Sequence, residues 1–204
     1  MYGLNGNILN SMNRFKLFLW LLLILIILSG CSTRPPTHIN NACRIFDEKS
    51  KWYKASYKSY KKWGVPVHVQ LAIMHQESRF VHDAKPPRRT LLWFIPWTRP
   101  SDAFGYAQVK DSTWDWYKDK TGNWFADRDD YKDAVDFIGW YGNVSYNMLK
   151  ISKWDAYGQY LAYHEGHGGY KRKTYLKKKW LMKVAKKVKA NASRYAQQLK
   201  QCKN

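Results

Sequence analysis

Apolar positions along this chain recur at helical intervals. From Ile45 to about Trp63, aromatic and aliphatic residues stand three or four apart (Trp52, Tyr53, Tyr57, Tyr60) between lysines, the pattern of an amphipathic helix with a basic outer face. Gly64 ends it, and Pro66 suits the first position of the helix that follows. Val67 to Met74 is then apolar on most sides, as a central buried helix is. Further helical patterns run from near Asp111 to Tyr117, where Asp111 or Ser112 can cap, over Tyr131 to Leu149, and over Trp154 to Tyr163. The last, Tyr175 to Leu199, sets Trp180, Leu181, Val184, Val188, Tyr195 and Leu199 on one stripe with lysines on the remainder. That lysine face reads as a solvated surface, or as a supplementary contact to an anionic polymer or to lipid head groups. Residues 84–101 break every period, with Pro86, Pro87, Pro96 and Pro100 around Leu91, Leu92, Trp93, Phe94, Ile95 and Trp97, and predict a long loop with an apolar tip. Neither an alternating strand of any length nor an internal repeat is visible, so the predicted class is mainly α.

The N-terminus carries a different signal. Arg14 and Lys16 precede an unbroken apolar run from Leu17 to Leu28. Such a run is shorter than the roughly 18 residues of a spanning helix and suits the core of a signal peptide, so export is expected. The residues that end it, Leu28-Ser29-Gly30-Cys31, resemble the lipobox of bacterial lipoproteins, in which the chain is cut before a lipidated cysteine. Cys31 then becomes the first residue, and the bland alternatives are an ordinary signal peptide or an N-terminal anchor helix. Ser32 leans toward an outer-membrane location facing the periplasm. The expected plan is a leader over 1–30, a polar tether over 31–42 containing Pro35-Pro36, and one folded domain over 43–204.

Two cysteines remain, Cys43 and Cys202. In an oxidising compartment they either pair or stay as two free thiols. Pairing would close nearly the whole domain into one loop, where chain entropy predicts a stabilisation of roughly 4–5 kcal/mol before native strain is subtracted.

Charge narrows the partner. The chain has 35 basic and 15 acidic residues, and the leader holds only two of the basic ones, so the exported part is strongly cationic. Nucleic acid is the usual partner for that balance, but export places the protein where nucleic acid is scarce. Stem-peptide carboxylates of peptidoglycan and lipid phosphates remain. The 11 tryptophans and 15 tyrosines suit the faces of sugar rings as well as they suit a core.

Met74-His75-Gln76-Glu77-Ser78-Arg79-Phe80 carries the strongest local chemistry. Glu77 follows Ile73 by four and Met74 by three, so it leaves the buried helix from a face shared with apolar residues. Desolvation there raises an acid's pKa, which keeps a glutamic acid protonated to donate to a glycosidic oxygen. Taken alone, a glutamate near a helix end is more often a surface residue or one half of an ion pair, here with Arg79.

Glu77-Ser78-Arg79-Phe80 after an apolar helix resembles the catalytic motif of the soluble lytic transglycosylase family. Two more segments follow in that family's order: Gly105-Tyr106-Ala107-Gln108, leading into Asp111-Ser112-Thr113-Trp114, and Ala162-Tyr163-His164-Glu165-Gly166. The resemblance spans roughly Val65 to Gly169 and implies a lysozyme-like single domain. By position, Glu77 would be the single acid/base, Tyr163 would hydrogen-bond and orient it, and Gln108 would contact sugar. Ser78, Tyr106 and His164 would be further substrate contacts. The implied reaction cleaves the β-1,4 bond between N-acetylmuramic acid and N-acetylglucosamine in peptidoglycan and closes a 1,6-anhydro ring, without a cofactor. One carboxylate then suffices where common glycosidases need two; Asp83, Asp102 and Glu165 are the nearest candidates for a second.

Three departures from the family pattern stand out. Glu77 and Gln108 are further apart than is typical, because of the 84–101 segment; Tyr106 and Ala107 replace Leu and Met; and His164 replaces Asn. His164-Glu165-Gly166-His167 is not the His-Glu-x-x-His pattern of a zinc site, so no metal is expected. Gly166, Gly168 and Gly169 suggest a tight turn lining the site. The competing functions are a hydrolytic muramidase and a catalytically inactive wall-binding lipoprotein.

Overall fold

The computed structural model describes residue 20 and residues 34–202, apart from 89, 92–94 and 97. The chain divides into two units, 1–33 and 34–204. Of the first only Trp20 is described, so the leader, Cys31 and Ser32 lie outside the described residues.

The second unit is mainly α. Its elements are α1 (Ala42–Glu48), α2 (Ser50–Trp63), α3 (Val67–Ser78), β1 (Thr90–Leu91), β2 (Ile95–Pro96), α4 (Asp111–Thr121), α5 (Tyr131–Leu149), α6 (Ala156–Lys171), a 3-10 turn (Thr174–Lys177) and α7 (Lys179–Leu199). Several boundaries depart from the sequence pattern: α6 runs past Tyr163 to Lys171, and the helix expected from Tyr175 begins at Lys179 behind a separate 3-10 turn. The helix expected from Ile45 to Trp63 is broken at Lys49 (φ −129°, ψ 65°) into α1 and α2. The expected cap of α4 at Asp111 or Ser112 falls instead on Lys110, which makes no side-chain cap bond. Within the long loop, Thr90–Leu91 and Ile95–Pro96 pair as a minimal antiparallel hairpin, too short to show any alternation.

α3 is the central element. Every residue from Val69 to Met74 is buried, including Gln70, whose Nε2 donates to the Val65 carbonyl (2.7 Å), so this stretch is enclosed all round and is packed by α5, α6 and α7. α2 lies against α5 through small residues: Ser59 Oγ donates to the Val135 carbonyl (3.0 Å), and a Cβ on Gly139 would meet that Oγ at 2.3 Å. Trp52 stacks on Tyr131 with ring centroids 3.9 Å apart.

The ends of the unit are tied together. Cys43 and Cys202 form a disulfide across 159 residues. The Ala42 N–H donates to Gln198 Oε1 (2.8 Å), and the Tyr195 hydroxyl donates to the Ile39 carbonyl. Thr37 bonds Glu48 through both its N–H (2.9 Å) and its hydroxyl (2.7 Å). The folded body therefore begins ahead of residue 43, because part of the polar stretch expected as tether finds partners on α1 and α7. Among the described residues no helix is long and apolar enough to cross a membrane.

Candidate active site

Glu77 sits in the last turn of α3, half-buried, and opens into a cleft of about 510 Å³. Pro86 and Ala103, at the two ends of the long loop, form one side. Gln108, Val109, Lys110 and Thr113, leading into α4, line it together with Phe137 and Tyr141 of α5. Tyr163 through Gly166 of α6 complete its walls.

Burial pushes the Glu77 carboxyl up to about 7, offset in part by a side-chain hydrogen bond from Tyr160, which favours the carboxylate. The acid is thus poised to hold a proton near neutral pH and to give it up, as a group serving first as acid and then as base must.

The turn that presents Glu77 is unusual. Arg79 (φ 53°) and Phe80 (φ 66°) are consecutive non-glycine residues in the left-handed region, a conformation that costs about 1–3 kcal/mol per residue. Phe80 is fully buried and anchors the turn. Ser78 holds it locally: its hydroxyl donates to the Met74 carbonyl (3.3 Å) and accepts the Phe80 N–H (3.1 Å). Ser78 is itself buried, so the residue expected to touch substrate is engaged by backbone.

Other expected site residues also take definite places. Gln108 lines the cleft in a left-handed conformation (φ 47°), with its Nε2 donating to the carbonyls of Ala84 (2.7 Å) and Gly105 (2.9 Å). Tyr106, only 5 % exposed, packs edge-on against Trp52 and Tyr131 in the core rather than on the cleft wall.

Tyr163 lines the cleft, but its hydroxyl donates to the Ala107 carbonyl (2.6 Å) and so stitches the Gly105–Gln108 loop to α6. The hydroxyl bonded to Glu77 belongs to Tyr160, one turn earlier on the same helix face. Sequence reasoning missed Tyr160. The available signal was its i, i+3 relation to Tyr163, but spacing alone does not say which of the two reaches the acid.

Glu165 is the second carboxyl on the cleft wall. Its side chain is 3 % exposed; Lys178 Nζ lies 2.7 Å from Oε1, His164 Nδ1 lies 3.2 Å from the same atom, and Thr174 donates to Oε2. Burial opposes its ionisation, but the bonds from Lys178, Thr174 and His164 outweigh it and hold the carboxyl down at about 2. It is a permanently ionised, fully partnered group, unlike Glu77. Asp83 is largely exposed beside His82, and Asp102 accepts the Asp111 N–H (3.2 Å).

His164 and His167 have separate partners. His167 stacks on Tyr141 (4.3 Å) and bonds Ser145 Oγ through Nε2 (3.0 Å), whereas His164 turns to Glu165. Of the glycines here Gly166 alone leaves helical geometry (φ 70°, ψ 160°): it lines the cleft and kinks α6 into two helical segments, while Gly168 and Gly169 lie in the second of them. That region is open essentially to glycine alone, and a Cβ there would meet nothing within 4 Å, so the backbone conformation is what requires the residue.

A family model described as the transglycosylase SLT domain matches residues 19–202, and the chain belongs to that family. Its fold is a mainly α, lysozyme-like single domain, and its activity is of the transglycosylase type acting on peptidoglycan glycan strands. Comparison with curated proteins and with solved structures gave no match.

Proposed function

We propose that this protein is a lytic transglycosylase that cleaves the β-1,4 bond between N-acetylmuramic acid and N-acetylglucosamine and leaves a 1,6-anhydro-muramyl end. The observation that carries the reading is Glu77, the one cleft carboxyl among the described residues that no cation holds, raised to about 7 by burial. As an acid it protonates the glycosidic oxygen of the leaving sugar while the bond to the muramyl C1 breaks. As a carboxylate it then takes the proton from the muramyl 6-hydroxyl, whose oxygen closes on C1. No second carboxylate is required, and Glu165, the other one on the wall, is held by Lys178 and Thr174. Tyr160 orients the acid, and the Tyr163–Ala107 bond sets the distance between the walls.

Mass spectrometry of digested peptidoglycan tests the reaction. Anhydro-muropeptides are the expected product, whereas products heavier by one water would identify a hydrolytic muramidase. No product at all, with binding retained, would identify a wall-binding protein. Lipid attachment at Cys31 and an outer-membrane place facing the periplasm belong to the same reading, supported by Leu28-Ser29-Gly30-Cys31 and Ser32. Mass spectrometry of the purified protein that found Cys31 without an attached lipid would contradict that attachment.

A further inference from the structure

Trp180 departs from the stripe on which its helix is built. Leu181, Val188 and Tyr195 of α7 are fully buried, yet Trp180 is 56 % exposed. A large apolar side chain left in solvent is informative where its surroundings are organised, and here they are. Its indole meets the His164 imidazole edge to face, with ring centroids 5.3 Å apart, and His164 lines the cleft that holds Glu77. The two rings make a continuous aromatic surface running from the cleft wall onto the start of α7.

That surface is locked from below. Glu165, adjacent to His164, is bound by Lys178, two residues before Trp180, and by Thr174 in the 3-10 turn. The ion pair is nearly out of solvent on the glutamate side and fixes the start of α7 to the wall of α6. The helix break at Gly166 lies directly beyond. Ordering of this kind, spent on an exposed tryptophan next to a polysaccharide cleft, marks a place where a ligand lies.

We propose that the Trp180–His164 shelf is a sugar-binding subsite that continues the catalytic cleft onto α7, with the Trp180 indole stacking on the C–H face of a pyranose ring of the glycan strand. The proposal rests on the assignment of peptidoglycan strands as substrate. The electropositive ring hydrogens of a sugar match the negative face of an aromatic π-system, and an indole adds a donor at its edge for a hydroxyl. Continuity with the cleft selects the occupant, since a strand held at Glu77 and passing His164 meets Trp180 next. Glu165 serves as a positioning residue for the shelf rather than as a second catalytic carboxylate.

The test uses the full-length protein with purified peptidoglycan and two readouts. In steady-state cleavage, Trp180→Ala is expected to raise KM by roughly ten-fold, the loss of one well-packed aromatic contact, with kcat unchanged. Trp180→Phe keeps a stacking face and should recover most of the loss. In co-sedimentation, Glu77→Gln with Trp180→Ala should bind peptidoglycan more weakly than Glu77→Gln alone by a similar factor. Wild-type KM and undiminished binding in a folded Trp180→Ala variant would overturn the proposal. If the wild type released no product but binding still depended on Trp180, the subsite would stand and the transglycosylase reading would fall.

Discussion

Glu77→Gln is expected to lower peptidoglycan cleavage by about 10³-fold or more, because one residue supplies both proton transfers and general acid–base catalysis alone contributes about 10²–10⁴-fold. Glutamine keeps the shape and the hydrogen-bond reach toward Tyr160 but can neither donate the proton nor take one back. The same substitution has a stability signature of known sign. The folded-state pKa of Glu77 is about 7 against 4.5 for the unfolded chain, so the folded protein holds a proton that the unfolded chain releases. The group's contribution is fully present below pH 4.5 and is lost as pH rises through about 7. Wild type and variant should therefore melt closer together at pH 4 than at pH 8, where the variant is relatively the more stable. Melting curves whose difference does not change with pH would mean that burial does not set the acid's state.

Gly105→Ala should be the most damaging single methyl in the site. Gly105 has φ 78°, and a Cβ there would stand 2.1 Å from the Arg128 carbonyl oxygen and 2.6 Å from its carbon. Both are backbone atoms, and that oxygen accepts the Tyr106 N–H (3.1 Å), so neither partner yields cheaply. Left-handed strain and overpacking together give a loss of about 3 kcal/mol or more, a fall in Tm of about 10 °C. Gly105 also supplies the carbonyl that fixes Gln108, so cleavage should fall further than the loss of folded protein explains. Thermal melts read alongside specific activity check both parts, and a variant with wild-type Tm would contradict the packing described.

These effects also show what the sequence makes legible. The long helices follow from apolar period, and Tyr131–Leu149 falls where the pattern predicts it because Asp130 caps the Asp133 N–H at one end and Lys150 turns left-handed at the other. The position of Glu77 on the inner face of α3 follows from its spacing to Ile73 and Met74. The break at Lys49 does not, since both flanking segments keep the same apolar period.

Within the site, spacing brings candidates to the right face without saying which partner each chooses. Tyr160 and Tyr163 share a face of α6, and only the packing of that helix against α3 and the Gly105–Gln108 loop gives one to the acid and the other to the Ala107 carbonyl. Ser78 and Tyr106 look like site residues by motif position, yet they are absorbed by a backbone turn and by the Trp52–Tyr131 cluster. Trp180 fits the stripe of α7 by periodicity and still emerges into solvent, beside the fully buried Leu181.

The pH dependence of kcat/KM tests the central claim, that Glu77 is the proton donor and that its burial sets when it can act. The expected profile is maximal on the acid side and falls with an alkaline limb near pH 7, as the free enzyme loses its proton. Tyr160→Phe should move that limb to higher pH, since the hydrogen bond it removes favours the carboxylate. A rate that stayed level through pH 9 would contradict the account, because the acid on which the mechanism depends would then be ionised while cleavage continued.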